Sequence, residues 1–161
     1  MSQRKPLTII NGYVQELPSG DTVEGAVAAH SVSLTNANAS AITKGQVVYV
    51  SAADTVDLAR ANADGTSKVF GLVSAASIAN GASGSIQTDG ILSQATTDWD
   101  ALTGQSSGLT PGADYILSPD TAGSLVLRSS TIDSGEWLVQ IGKAVSTTDL
   151  LIDIEDGIKR S

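Results

Sequence analysis

The chain has 161 residues, of which 41% are hydrophobic, 16% charged and 4% aromatic, with a net charge of −8 and no cysteine. This balance argues against a nucleic-acid grip, which needs a clustered basic face, and it excludes disulfides and thiolate metal sites. No run is long and apolar enough for a transmembrane helix. Arg4 and Lys5 lead into Pro6 and polar sequence rather than a signal-peptide core, so a soluble protein made in the cytoplasm, with no membrane partner, is expected.

A core with so few aromatics must be built from Val, Ile, Leu and Ala, while 16 glycines and abundant Ser, Thr and Asn supply turns. This is the composition of an all-β protein with many short strands. A surface this poor in charge suits a chain that packs against copies of itself or a larger assembly.

In chain order, Leu7-Thr8-Ile9-Ile10 and Tyr13-Val14-Gln15-Glu16-Leu17 flank Asn11-Gly12. Asn-Gly between apolar runs signals a β-hairpin, because a type I′ turn needs positive φ at both central residues. Pro18-Ser19-Gly20-Asp21 then breaks the structure, and an isolated two-stranded hairpin is marginal in water. Residues 1–25 therefore read as an arm that docks on the main body or on a neighbour, through Leu7, Ile9, Ile10, Tyr13, Val14 and Leu17. Asp21 can cap a short helix with Glu24 at its third position. Ser31 to Thr35 alternates polar and apolar, as a half-buried strand does.

The β-module spans residues 26–157 and holds a degenerate repeat, at about 44–93 and 112–156, with 158–161 a fraying tail. Each copy has a Gly, a Tyr-led apolar run, a Ser, an Asp-Thr turn, an apolar run and an Arg: Gly45 to Arg60, and Gly112 to Arg128. Val69 to Val73 follows the first copy and Trp137 to Gly142 the second. A last strand closes each, around Ile86 and around Leu151. The unit is hairpin, strand, turn, strand, and Tyr49 and Tyr115 hold equivalent places in it. Strands are expected near 46–50, 55–60, 68–74, 84–93, 114–118, 124–128, 136–145 and 149–155, with a helical turn around Trp99 in the connector. The fold expected is a small β-barrel or sandwich built from the two repeats, with the hairpin arm in front.

Residues that could carry chemistry are few. His30 is the one histidine and has no second ligand at metal spacing, so it reads as a surface residue. There is no Gly-x-Ser-x-Gly elbow, Walker loop or Gly-x-Gly-x-x-Gly fingerprint. The pairs Asp54/Asp57 and Asp98/Asp100 read as turn formers rather than calcium ligands or paired acids. Asp153, Glu155 and Asp156 read as a charged strand end that blunts edge pairing. Tyr49 and Tyr115 suit a core or an interface ring. Trp99 reads as a loop plug, or as an anchor at a subunit contact. No enzyme activity and no cofactor are expected.

Lys5 to Asp21 resembles an N-terminal segment of many virion structural proteins of tailed bacteriophages, where it looks like a docking element. Lys44 to Tyr49, Val69 to Val73, Gln87 to Leu92, Leu109 to Pro119 and Leu150 to Ile154 resemble a companion domain of the same proteins. The resemblance implies a non-enzymatic virion protein. The expected role is capsid decoration: a cement protein or the base of a short head fibre, a homotrimer bound to the major capsid protein or another virion protein. Many relatives carry a long receptor-binding or enzymatic region after this module, and its lack here favours a small coat component. A tail or baseplate adaptor is the first alternative. A carbohydrate-binding module using Trp99, Asp98 and Asp100 is the second.

Overall fold

A computed structural model describes residues 29–161 in full and, before them, the backbone of two short strands. These are β1 (Leu7–Ile10) and β2 (Tyr13–Glu16), which pair antiparallel from Leu7 with Glu16 to Ile10 with Tyr13. The arm's side chains, Leu17 and the helix expected at Asp21–Glu24 lie outside the described residues.

The remainder is almost entirely β, as the alternation and turn residues require. In order come β3 (Ser31–Asn36), β4 (Ile42–Thr43), β5 (Val47–Ala52), β6 (Thr55–Leu58), β7 (Val69–Val73), β8 (Ser77–Ile78), β9 (Ser83–Gln87) and β10 (Gly90–Ser93). Helix α1 (Thr96–Thr103) follows. Then come β11 (Asp114–Leu117), β12 (Leu125–Leu127), β13 (Trp137–Leu138), β14 (Gln140–Ala144), β15 (Asp149–Ile152) and β16 (Ile158–Lys159). Strands β3-β6-β5-β7-β9 close into a barrel, and β10-β15-β14-β11-β12 form an open sheet. Two-stranded pairs β4-β8 and β13-β16 complete the set.

The same four-strand order occurs twice, as β6-β5-β7-β9 and β12-β11-β14-β15. Both copies also carry a bulge at the same step. Val48 pairs with Gly71 and Tyr49 with Val69, passing over Phe70; Tyr115 pairs with Gly142 and Ile116 with Gln140, passing over Ile141. Glycine is required there by close approach. A Cβ on Gly71 would lie 2.5 Å from the Gln87 carbonyl oxygen, and one on Gly142 2.1 Å from that of Leu151.

This register corrects the equivalence expected for the tyrosines. Tyr115 stands opposite the bulge glycine, where the first unit has Val48; Tyr49 is one residue further on. Adjacent strand residues point to opposite faces, so Val48 enters the barrel core while Tyr49, one residue on, packs against the main core. Tyr115 is fully buried, while Tyr49 is half-buried against the main core.

Two cores result. The smaller fills the barrel with Leu34, Ile42, Val48, Val56, Val73, Ile78 and Ile86. The larger lies between the barrel's outer wall and the open sheet, and includes Val47 and Leu72 from the wall and Tyr115, Leu117, Ile141 and Leu150 from the sheet. Strands β5 and β7 thus bury both faces, which is why Val47-Val48 and Leu72-Val73 are unbroken apolar pairs. The loop after β11 is bonded to the barrel unit by backbone pairs, Val47 N–H to Gly123 O, Gly123 N–H to Ala59 O and Ala61 N–H to Ser118 O, and by Arg60 Nε donating to the Pro119 carbonyl.

Two further expectations change. The strand expected over 84–93 is two strands, because Gly90 turns the chain at φ 80°. The tail is not free, since Ile158–Lys159 pairs with Trp137–Leu138 and the Arg160 N–H donates to the Glu136 carbonyl.

Candidate interaction surface

The described chain enters the barrel at a clasp. The His30 backbone N–H donates to Asp89 Oδ1 at 2.8 Å, and His30 Nδ1 lies 2.6 Å from Asp89 Oδ2. The Thr88 N–H donates to the His30 carbonyl at 2.9 Å, and Gln87 Nε2 donates to the Asp89 carbonyl at 2.8 Å. The His30 backbone N–H, and then its ring, hold the Asp89 carboxyl below the usual carboxylate range. Beside the clasp Ala29 lies against Gly90, where a Cβ would meet the Ala29 Cβ at 3.1 Å. Ala29 and His30 thus lie beside the start of β10, immediately before the chain enters β3 at Ser31.

Among the described strands β10 is an edge of the open sheet, and it turns Ile91 and Ser93 outward. Ile91 is 52% exposed and stands directly opposite Leu151, which is 42% exposed. Leu151 pairs in turn with Lys143, and Lys143 with Asp114, joined by a 2.9 Å salt bridge. Val145, at the end of β14, is exposed as well. The alternation that points Leu150 and Ile152 into the core points Leu151 out. An edge strand with an apolar face is a surface on which another protein can pair or pack.

The residues singled out in the sequence do not gather here. Trp99 and Tyr115 are wholly buried within the chain, which removes them from any subunit contact and corrects that expectation. The Trp99 indole N–H donates to the Thr148 carbonyl at 2.8 Å and plugs α1 against the β14–β15 turn. A buried indole offers no ring face to a sugar, so Trp99 cannot serve as a carbohydrate platform. Asp100 caps the loop after α1, accepting from the N–H groups of Ser107 and Gly108. The Tyr115 hydroxyl donates to Gln105 Oε1 at 2.5 Å and accepts from the Thr110 N–H at 2.8 Å. Tyr49 is half-buried and packs against the main core. Asp57 accepts from Asn38 Nδ2 and the Leu58 N–H, and Asp54 sits at φ 55° in the β5–β6 turn.

Among the described residues no group of three His, Asp or Glu is placed to hold a metal ion, and no helix is long and apolar enough to cross a membrane. Compared with protein-family models and with curated proteins, the chain matches none.

Sequence reasoning missed Ile91, Leu151 and the clasp. The signal for the first two was present, since each sits mid-strand between residues that the alternation sends inward. Leu150-Leu151-Ile152 reads as an unbroken apolar run, however, and conceals which residue faces out.

Proposed function

We propose that this chain is a non-enzymatic structural protein of a tailed-phage virion that decorates and stabilises the head, self-associating as a trimer. The observation that carries the reading is the division of labour along the chain. Among the described residues, both hydrophobic cores are made between Leu34 and Ile152. The apolar hairpin of residues 7–16 precedes them, and its sequence resembles a virion docking segment. The hairpin lies on the coat protein. Burying apolar area stabilises by about 25 cal/mol per Å². A standard interface of about 1,600 Å² then gives a gross gain above the roughly 4–15 kcal/mol cost of association. The exposed β10 face beside the chain's point of arrival supplies a second contact.

The test is a truncation of residues 1–17, mixed with particles lacking the protein. The expected result is a body of unchanged thermal stability that no longer binds. Full decoration by the truncated chain would sink the arm hypothesis. Immunogold labelling of purified virions, with densitometry, separates many copies over the whole head from a few at one vertex or on the tail, the pattern of an adaptor.

A further inference from the structure

Away from the β10 edge, the segment after β15 passes over β13 and leaves an open hollow of about 370 Å³. Trp137, Val69 and Ile154 supply apolar wall, and Asp64, Lys68, Glu155 and Asp156 line it with charge. Trp137 is partly exposed, and its backbone is fixed on both sides. Its N–H donates to the Ala61 carbonyl at 2.8 Å, and it pairs with Lys159 of β16. Gly157, which also lines the hollow, lies close to the ring: a Cβ there would be 2.8 Å from Val139 Cγ2 and 3.4 Å from Trp137 Cε3, so the lack of a side chain keeps the space beside the indole open.

The charges are unbalanced. Lys68 Nζ is 3.2 Å from Asp64 Oδ2, so these two answer each other. Glu155 and Asp156 are exposed neighbours with no salt-bridge partner among the described residues. Lys159 faces Trp137 in register but does not line the hollow. Glu155 and Asp156 thus leave uncompensated negative charge on the hollow beside the indole, and a cation answers that charge while meeting the negative face of the ring. A neutral sugar would stack on the indole but leave the charge unanswered.

We propose that this hollow is a socket for an arginine side chain of a partner protein, its guanidinium lying on Trp137 and bonded to Glu155 and Asp156. Arginine fits better than lysine because its planar fork both stacks on an aromatic face and bridges carboxylate oxygens. The proposal does not depend on the head-decoration reading, since it concerns the chemistry of the occupant and not the assembly that supplies it.

Tryptophan emission of the full chain reads the site directly, because Trp99 is buried and Trp137 is not. N-acetyl-arginine amide should change the emission saturably, with a midpoint on the order of 10 mM for so small a probe. Trp137→Phe should abolish the response. The double variant Glu155→Gln/Asp156→Asn alters only exposed side chains and should weaken the midpoint about fivefold or more, as should raising salt to about 0.5 M. N-acetyl-glutamine amide and methyl glucoside should do nothing. The proposal is overturned by no saturable response to the arginine probe, by an unchanged midpoint in the double variant, or by an equal response to the glucoside.

Discussion

The first unit, β5, β6, β7 and β9, and the second, β11, β12, β14 and β15, share strand order, bulge position and bulge glycine, yet one is a closed barrel and the other an open sheet. The difference comes from what stands at the two edges. In the first unit β3 pairs antiparallel with β9 and parallel with β6, and so joins both ends. In the second, β10 pairs with β15 alone, and β12 is left as an edge. Closure gives the first unit an interior of its own. The open unit has none and buries its inner face on the barrel wall. One added strand thus decides whether the same four-strand element makes its own core or borrows a neighbour's.

The largest test of this comparison is at the bulge glycines. Gly142→Ala drives a Cβ to 2.1 Å from a backbone oxygen, against 2.5 Å for Gly71→Ala. The loss expected is about 3 kcal/mol for Gly142 and about 2 kcal/mol for Gly71, measured by urea unfolding. Equal stability of both variants and wild type would show that the bulges are not constrained as described. The two tyrosines come next. Tyr115→Phe leaves Gln105 Oε1 and the Thr110 N–H without their partner and should cost about 1–3 kcal/mol. Tyr49→Phe should cost under about 0.5 kcal/mol, because its hydroxyl makes no hydrogen bond among the described residues. Similar costs at both positions would restore the equivalence that the register denies.

The smallest effect expected is electrostatic. Asp149, at the turn into β15, accepts from the Ser146 and Ser93 hydroxyls at 2.6 and 2.5 Å and from Thr148 at 3.2 Å; these bonds, Ser146 first, hold its carboxyl below the usual value near 3.8. A depressed folded pKa stabilises above the unfolded value and loses that contribution as pH falls through the folded one. The gap in urea midpoint between wild type and Asp149→Asn should therefore hold constant above about pH 5 and narrow below about pH 4. A gap that widens on acidification would contradict the sign. Asp89 at the clasp, lowered through His30, should behave in the same sense.

Much of this architecture was legible in the residues. The turn formers from Ser118 to Ser124 mark the β11–β12 hairpin, and the period-two runs place most strands to within a residue or two. Local chemistry writes such features directly into the sequence. What was not legible depends on partners far along the chain. The parallel pairing of Thr35 with Thr55 that helps close the barrel leaves no local mark. The bulges do not announce themselves either, and so Tyr49 and Tyr115 matched as letters but not as positions. Trp99 sits on a helix with only Trp99 and Leu102 buried, too short to show a stripe. Its burial is set by Thr148 and the turn above it. The hollow at Trp137 combines residues 64–69 with 154–157, which only the fold brings together.

The position of β3 has a mechanical consequence. If the arm is a docking element, a pull on it passes the His30–Asp89 clasp and enters at Ser31, the first residue of a strand with a neighbour on either side. Its pairing with β9 runs residue for residue from Ser31 with Gln87 to Thr35 with Ser83. Tension along the strand loads these rungs together in shear instead of peeling them one after another. On the docking-arm reading, load would pass the His30–Asp89 clasp and enter a stave of the closed barrel, the part of the described molecule with no edge from which to unravel.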